Sequence, residues 1–131
     1  MILASEEAVA KNGLTPLARI VGYGVAGCEP TIMGIGPVPA IGAMLEKTGV
    51  SLGEVDQVEI NEAFAAQMLA CLHDLPIDRE RLNVNGGAIA LGHPIGATGA
   101  RIVVTLVHER ARRGNARGLA TPGMRGGGGM A

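Results

Sequence analysis

Glycine clusters within residues 22–27, 34–36, 86–99 and 126–129 cut this chain into short apolar segments. Clusters of this kind mean tight turns or close backbone approach, so the segments between them must be single strands or single helices. The glycines do not recur at every third residue, which excludes a collagen repeat. Tyr23 and Phe64 are the only aromatic residues, which leaves the core to Val, Ile, Leu, Met and Ala. A chain of 131 residues can support one such core.

The segments alternate in type. Ser5 is a good N-cap for a helix that begins Glu6-Glu7-Ala8, and Gly13 ends it. Residues 1–4 read as the tail of a strand, and residues 19–25 as a strand interrupted by glycines. A proline-rich loop over 30–39 leads to a short helix with Ile41, Met44, Leu45 and Thr48 on one face and Gly49 after its end. Ser51-Leu52-Gly53-Glu54 has the capping-box pattern of a brief helical turn. Residues 58–60 form a strand. A helix over 62–75 places Phe64, Met68, Cys71, Leu72 and Leu75 on one face and stops at Pro76. Residues 82–85 read as a strand entering a glycine-rich loop. A long helix over 96–113 turns Ile102, Val103, Leu106 and Val107 to the core and Thr105, His108, Glu109 and Arg112 outward; Gly114 closes it. Residues 118–121 form a last strand. Strands alternating with helices predict a layered α/β fold.

Charge excludes several classes. The net charge is −1, and basic residues are not interleaved with aromatics, which argues against nucleic acid. Six arginines against Glu109 alone mark residues 101–131. Arginines ending a helix suit its dipole, and an acidic ligand such as a CoA phosphate is the sharper alternative. Cys28 and Cys71 make no disulfide framework, so a reducing compartment is expected: the cytoplasm or an organelle matrix. No basic leader precedes Glu6 and Glu7, and no apolar run reaches the ~20 residues of a membrane span. No His, Cys, Asp or Glu spacing suggests a metal.

Three motifs stand out. Gly22-Tyr23-Gly24-Val25-Ala26-Gly27 has dinucleotide-fingerprint spacing, but Cys28-Glu29-Pro30 follows where a helix would have to open. Asn61-Glu62-Ala63-Phe64-Ala65 sits where a strand gives way to a helix, and capping by Asn61 with Glu62 in the first turn explains both residues. Gly86-Gly87-Ala88-Ile89-Ala90-Leu91-Gly92-His93-Pro94-Ile95-Gly96 is a strand-to-helix loop with a histidine just before the helix. Loops in that position carry the sites of α/β folds, and a neutral imidazole there suits a general base or hydrogen-bond donor. A satisfied loop histidine is the plainer alternative.

Taken in order, Ile32-Met33-Gly34-Ile35-Gly36-Pro37-Val38-Pro39-Ala40, Asn61-Glu62-Ala63-Phe64-Ala65 and Asn83 through Arg101 resemble three segments of the thiolase family, and the likeness runs over nearly the whole chain. The resemblance implies a thiolase C-terminal domain over 1–131. Its fold would be a mixed, mostly parallel sheet with helices on both faces, half of an α-β-α-β-α body. It implies acyl transfer on acyl-CoA thioesters by Claisen condensation or thiolysis. Coenzyme A is then part of the substrate, with no separate cofactor. His93 would activate a nucleophilic cysteine and help form an oxyanion hole, and Asn61 would hold a water completing that hole. Ala63 and Phe64 would lie beside the acyl and pantetheine groups, and Gly127 would belong to a backbone oxyanion hole.

Two departures qualify the implication. The family's nucleophile belongs to an N-terminal domain that nothing here matches. The family's second cysteine falls on Gly123 when aligned from the strand and on Arg125 when aligned from the glycine run, and neither residue transfers a proton as a thiol does. The expectation is a chain inactive alone, starting and stopping in strands, and oligomeric or paired with the missing half or a second subunit. A non-catalytic assembly module or a truncated fragment is the alternative.

Overall fold

Val58 and Ile60 anchor the fold from one face of a four-residue strand, β2 (Gln57–Ile60), that is buried throughout. The computed structural model describes residues 1–124 and 127–131. Before β2 come α1 (Glu6–Asn12), β1 (Val25–Gly27) and α2 (Pro37–Thr48); after it come α3 (Ala65–Asp74), α4 (Ala88–Leu91), α5 (Thr98–Arg113), β3 (Gly118–Thr121), β4 (Gly123–Met124) and β5 (Gly128–Met130). Short 3-10 turns at Pro30–Ile35, Leu52–Glu54 and Arg79–Arg81 link these elements.

β2 and β3 run parallel, with Gln57 opposite Gly118 and Ile60 opposite Thr121. A parallel pair needs a long crossover, which α3 to α5 supply. On one side Val58 and Ile60 meet Ile41 of α2, Met68 of α3, Val55, Leu75 and Leu119. Full burial of a side chain such as Ile60 is worth about 1.5–3 kcal/mol. The opposite side is covered by α5, and Leu106 fills the space where Gly118 has no side chain. Helices therefore lie on both faces, as the sequence predicts. The remaining strands form an antiparallel sheet ordered β1-β5-β4, against which α2 packs.

Local signals placed most helix ends. Ser5 accepts from Ala8 N at 3.1 Å, and Gly114 ends α5 at a left-handed φ of 72°. Ser51 and Glu54 close the expected capping box.

Several expectations need correction. Residues 1–4 form no strand and pair with nothing among the described residues, and Ile2 is 91% exposed. The strand expected over 19–25 begins only at Val25. The strand expected over 82–85 shrinks to one bridge, Leu82 to Val58, because the chain turns at Asn83 with φ 45°. Asn83 continues the ladder with its side chain instead: Oδ1 accepts from Ile60 N and Nδ2 donates to Ile60 O, both at 2.9 Å. The glycine run itself contributes a strand, which the sequence reading did not assign. β5 pairs with β1 and β4, and Ala131 exchanges backbone hydrogen bonds with Gly24. Glu109 was expected to face solvent but is buried, and Arg112 and then Arg113 hold its carboxyl down to about 2.

Candidate functional site

The carboxyl end of β2 carries the first group of candidate residues. Asn61 extends the parallel ladder by one rung, its N–H donating to Thr121 O at 3.0 Å. Asn61 is 2% exposed, and its Oδ1 has no hydrogen-bond partner among the described residues. Asn61 does not cap α3. That helix starts at Ala65 behind an extended Phe64, with no side-chain cap. Capping therefore does not account for Asn61. Ala63 is exposed, and Phe64 is 70% exposed rather than packed with Met68 and Cys71 as its helical spacing suggested.

Glu62 carries a role that the sequence reading missed. Its carboxylate reaches away from α3, accepting from Asn83 Nδ2 at 3.3 Å and from Ile89 N at 3.0 Å. The second bond satisfies an orphan amide in the first turn of α4, which the sequence reading treated as loop. Gly87 is what permits this approach, since a Cβ there would lie 2.2 Å from the Glu62 carboxyl carbon. The elbow after β2 is thus fastened to the segment leading into the histidine loop.

His93 lies exposed after α4, on the loop leading into α5. Its Nδ1 is 2.7 Å from Thr98 Oγ1, and the same hydroxyl donates to Pro94 O at 3.1 Å. A hydroxyl has one proton. If Thr98 spends that proton on Pro94, it must accept from His93, so the imidazole proton sits on Nδ1 and Nε2 keeps its lone pair. That tautomer suits a base working through Nε2. Thr98 is buried in the first turn of α5 and was missed from sequence; its signal is a hydroxyl five residues after the histidine.

Asn61 and His93 are not hydrogen-bonded to each other. Glu62 and the packing of α5 on β2 tie their two segments together. Gly127 lies beside the antiparallel sheet, against Cys28 and Pro30. Its φ is 86°, its O accepts from Cys28 N at 2.6 Å, and a Cβ would meet Cys28 O at 2.3 Å. Gly123, one candidate for the second cysteine position, is exposed in β4, just past the end of β3 that Asn61 joins. The other candidate, Arg125, lies outside the described residues.

The two cysteines are free thiols that differ in burial. Cys71 is buried, its Sγ donates to Gly34 O at 3.5 Å, and burial pushes its thiol pKa up. Cys28 is half-buried, with its Sγ 3.8 Å from Ile32 O. Among the described residues no cluster of His, Cys, Asp and Glu could hold a metal, and no helix is long and apolar enough to cross a membrane. A hollow of about 330 Å3 between the Pro30–Ile35 turn and α3, lined by Ile32, Met33, Ala66 and Gln67 among others, was not foreseen from sequence.

Known proteins resemble this chain in sequence and fold. The model of the thiolase C-terminal domain family matches residues 14–131. The chain is 58% identical over 131 residues to the mitochondrial 3-ketoacyl-CoA thiolase of Bos taurus, covering all of this chain and 33% of that protein. It superposes on the crystal structure of the Bacillus anthracis acetyl-CoA acetyltransferase with a TM-score of 0.94 at 59% identity, over 96% of this chain and 32% of the other. It superposes on human mitochondrial 3-ketoacyl-CoA thiolase in complex with CoA with a TM-score of 0.95 at 57% identity, over 97% of this chain and 32% of the other. The chain spans about a third of the length of these relatives. With its α/β fold, its asparagine elbow and its histidine loop, it belongs to the thiolase family as a C-terminal domain.

Proposed function

We propose that this chain supplies the histidine and asparagine part of thiolase-type acyl transfer on acyl-CoA thioesters, and that it turns over only with a segment bearing a nucleophilic cysteine. The observation that carries this reading is the fixing of His93 Nδ1 by Thr98, which leaves Nε2 free to work. His93 Nε2 takes the thiol proton as the nucleophile attacks the thioester carbonyl, then stands as a donor beside the oxyanion. Asn61 supplies a second polar group through a water that it holds. Donors aimed at a developing oxyanion are worth ~2.7–4 kcal/mol each. Ala63 and Phe64 flank the acyl and pantetheine groups, and Gly127 offers backbone to a second oxyanion site. Coenzyme A enters as part of the substrate. The compartment is the cytoplasm or an organelle matrix, as for the mitochondrial bovine relative.

The second reading, a non-catalytic assembly module, draws support from Gly123, which has no side chain to move a proton. Both readings call for a partner. Phe64, Ile89, Leu91 and Ile95 are each more than half exposed, and such apolar surface marks an interface. The partner is a segment like the N-terminal part of the relatives, or a second subunit.

The test is acetoacetyl-CoA thiolysis by the chain alone and by the chain combined with the nucleophile-bearing domain of a full-length thiolase. The expected result is no turnover alone and turnover on complementation, reduced about 10²–10⁴-fold by His93→Ala. Turnover by the chain alone that survives both Cys28→Ser and Cys71→Ser would rule the mechanism out. Tight association without turnover would favour the assembly module.

A further inference from the structure

The face of β2 turned away from the apolar core is polar and sealed. Gln57, Glu59 and Asn61 alternate along it, 0%, 0% and 2% exposed. Helix α5 covers that face and brings Arg101 against it. Among the described residues, neither Glu59 oxygen, neither polar atom of the Gln57 amide and none of the three Arg101 guanidinium nitrogens has a hydrogen-bond partner, though all are shut off from solvent. Among the described residues the charged groups facing Glu59 are Arg101 and Glu109 from α5 and Glu62 just past its own strand end, and of these Arg101 favours its charge.

Buried polar atoms are hydrogen-bonded as a rule, and an unpaired buried charge is costly. Opposite charges facing each other in a closed interior, beyond direct hydrogen-bond reach, are what an ordered water spans. The placement of this pair is also informative. Glu59 lies two residues before Asn61 on β2. Arg101 lies three residues after Thr98, the residue that holds His93, on the next turn of α5.

We propose that Glu59 and Arg101 form a buried, water-bridged ion pair that clamps β2 to α5 and so positions Asn61 and His93. Both are positioning residues, acting through the strand end and the first helical turn rather than on substrate. The consequence for catalysis rests on the proposed roles of Asn61 and His93, whereas the clamp itself is a property of the chain.

The experiment uses the full chain at pH 8 with four variants: Glu59→Gln, Arg101→Met, Arg101→Lys and the double Glu59→Gln/Arg101→Met. Urea unfolding gives the coupling, and nitrogen NMR of the Asn61 amide and the His93 ring gives the positioning. Arg101→Met is expected to lower the folding equilibrium constant about 10²–10³-fold, as when one partner of a buried pair is removed. The double variant is expected to recover most of that loss. Arg101→Lys is expected to hold the Asn61 and His93 signals near their parent positions, while Arg101→Met moves both. Should Arg101→Met fail to fold, recovery of folding in the double variant supports the clamp. Additive losses, or Asn61 and His93 signals unmoved by Arg101→Met, overturn it. None of these readouts needs turnover. A complemented enzyme that works with an additive cycle sinks the clamp alone, and a coupled cycle without turnover sinks the catalytic reading alone.

Discussion

Replacing Gly129 by alanine should be among the most damaging single-methyl changes in this chain. Gly129 is in the central strand of the antiparallel sheet, opposite Ala26 of β1 and Gly123 of β4. A Cβ there would lie 2.0 Å from Gly36 O, 2.5 Å from Gly36 C and 3.1 Å from Ala40 Cβ. Ordinary contacts between such atoms start near 3.5 Å, so β5 would have to retreat by about 1 Å or more. The obstacle is backbone at the entrance to α2, which cannot rotate aside, and retreat pulls β5 from both neighbours. Overpacking costs about 1–3 kcal/mol, and one lost ladder bond adds about 1. A loss of about 3 kcal/mol is expected, on the order of 10²-fold in the folding equilibrium constant. Gly42, exposed within α2, is the contrast, because nothing lies within 4 Å of a Cβ built there. Gly42→Ala should gain about 1 kcal/mol from helix propensity alone. Urea titrations followed by circular dichroism compare the two. A Gly129→Ala midpoint equal to that of the parent would show that β5 is not seated against α2 as described.

Three further outcomes are expected. Burial pushes the Glu59 carboxyl from 4.5 to about 7, with Arg101 opposing, so the folded state holds a proton between those values that the unfolded state has released. Its contribution is therefore fully present below 4.5 and lost as pH rises through about 7, up to about 3 kcal/mol; Glu59→Gln should flatten stability across that window, and an unchanged pH profile would refute the assignment. Thr98→Val should cost about 1 kcal/mol and turn a single His93 tautomer into a mixture in ring nitrogen spectra; an unaltered spectrum would mean that Thr98 does not set the tautomer. Gly87→Ala should push Glu62 off Ile89 N and speed exchange of that amide, and unchanged protection there would contradict the fastening of the histidine segment.

What could be read from the sequence was local chemistry. Ser5, the Ser51–Glu54 box and Gly114 each settle a boundary with bonds inside one turn. β2 and β3 were legible because short segments with β-branched residues flanked by turn residues have few other uses. The histidine loop stood out because Pro94 and the glycines around His93 are incompatible with a continuous helix. Three of the misreadings share one cause, a side chain bonded to a distant segment. Glu62 looks like a first-turn acid, but its partners are 21 and 27 residues away. Asn83 looks like a strand residue, yet it bends the chain and pairs through its amide. Phe64 has core spacing only if the helix begins at 62, and with Glu62 directed elsewhere the helix begins at Ala65 and leaves Phe64 outside. One carboxylate thus accounts for a helix start, an exposed aromatic and the seating of the loop that carries His93. Asn61 is left uncapping and buried, its oxygen without a partner among the described residues. A buried polar group that secondary structure does not employ is costly to keep, and the proposed role of Asn61, holding a water at the strand end, is what would satisfy it.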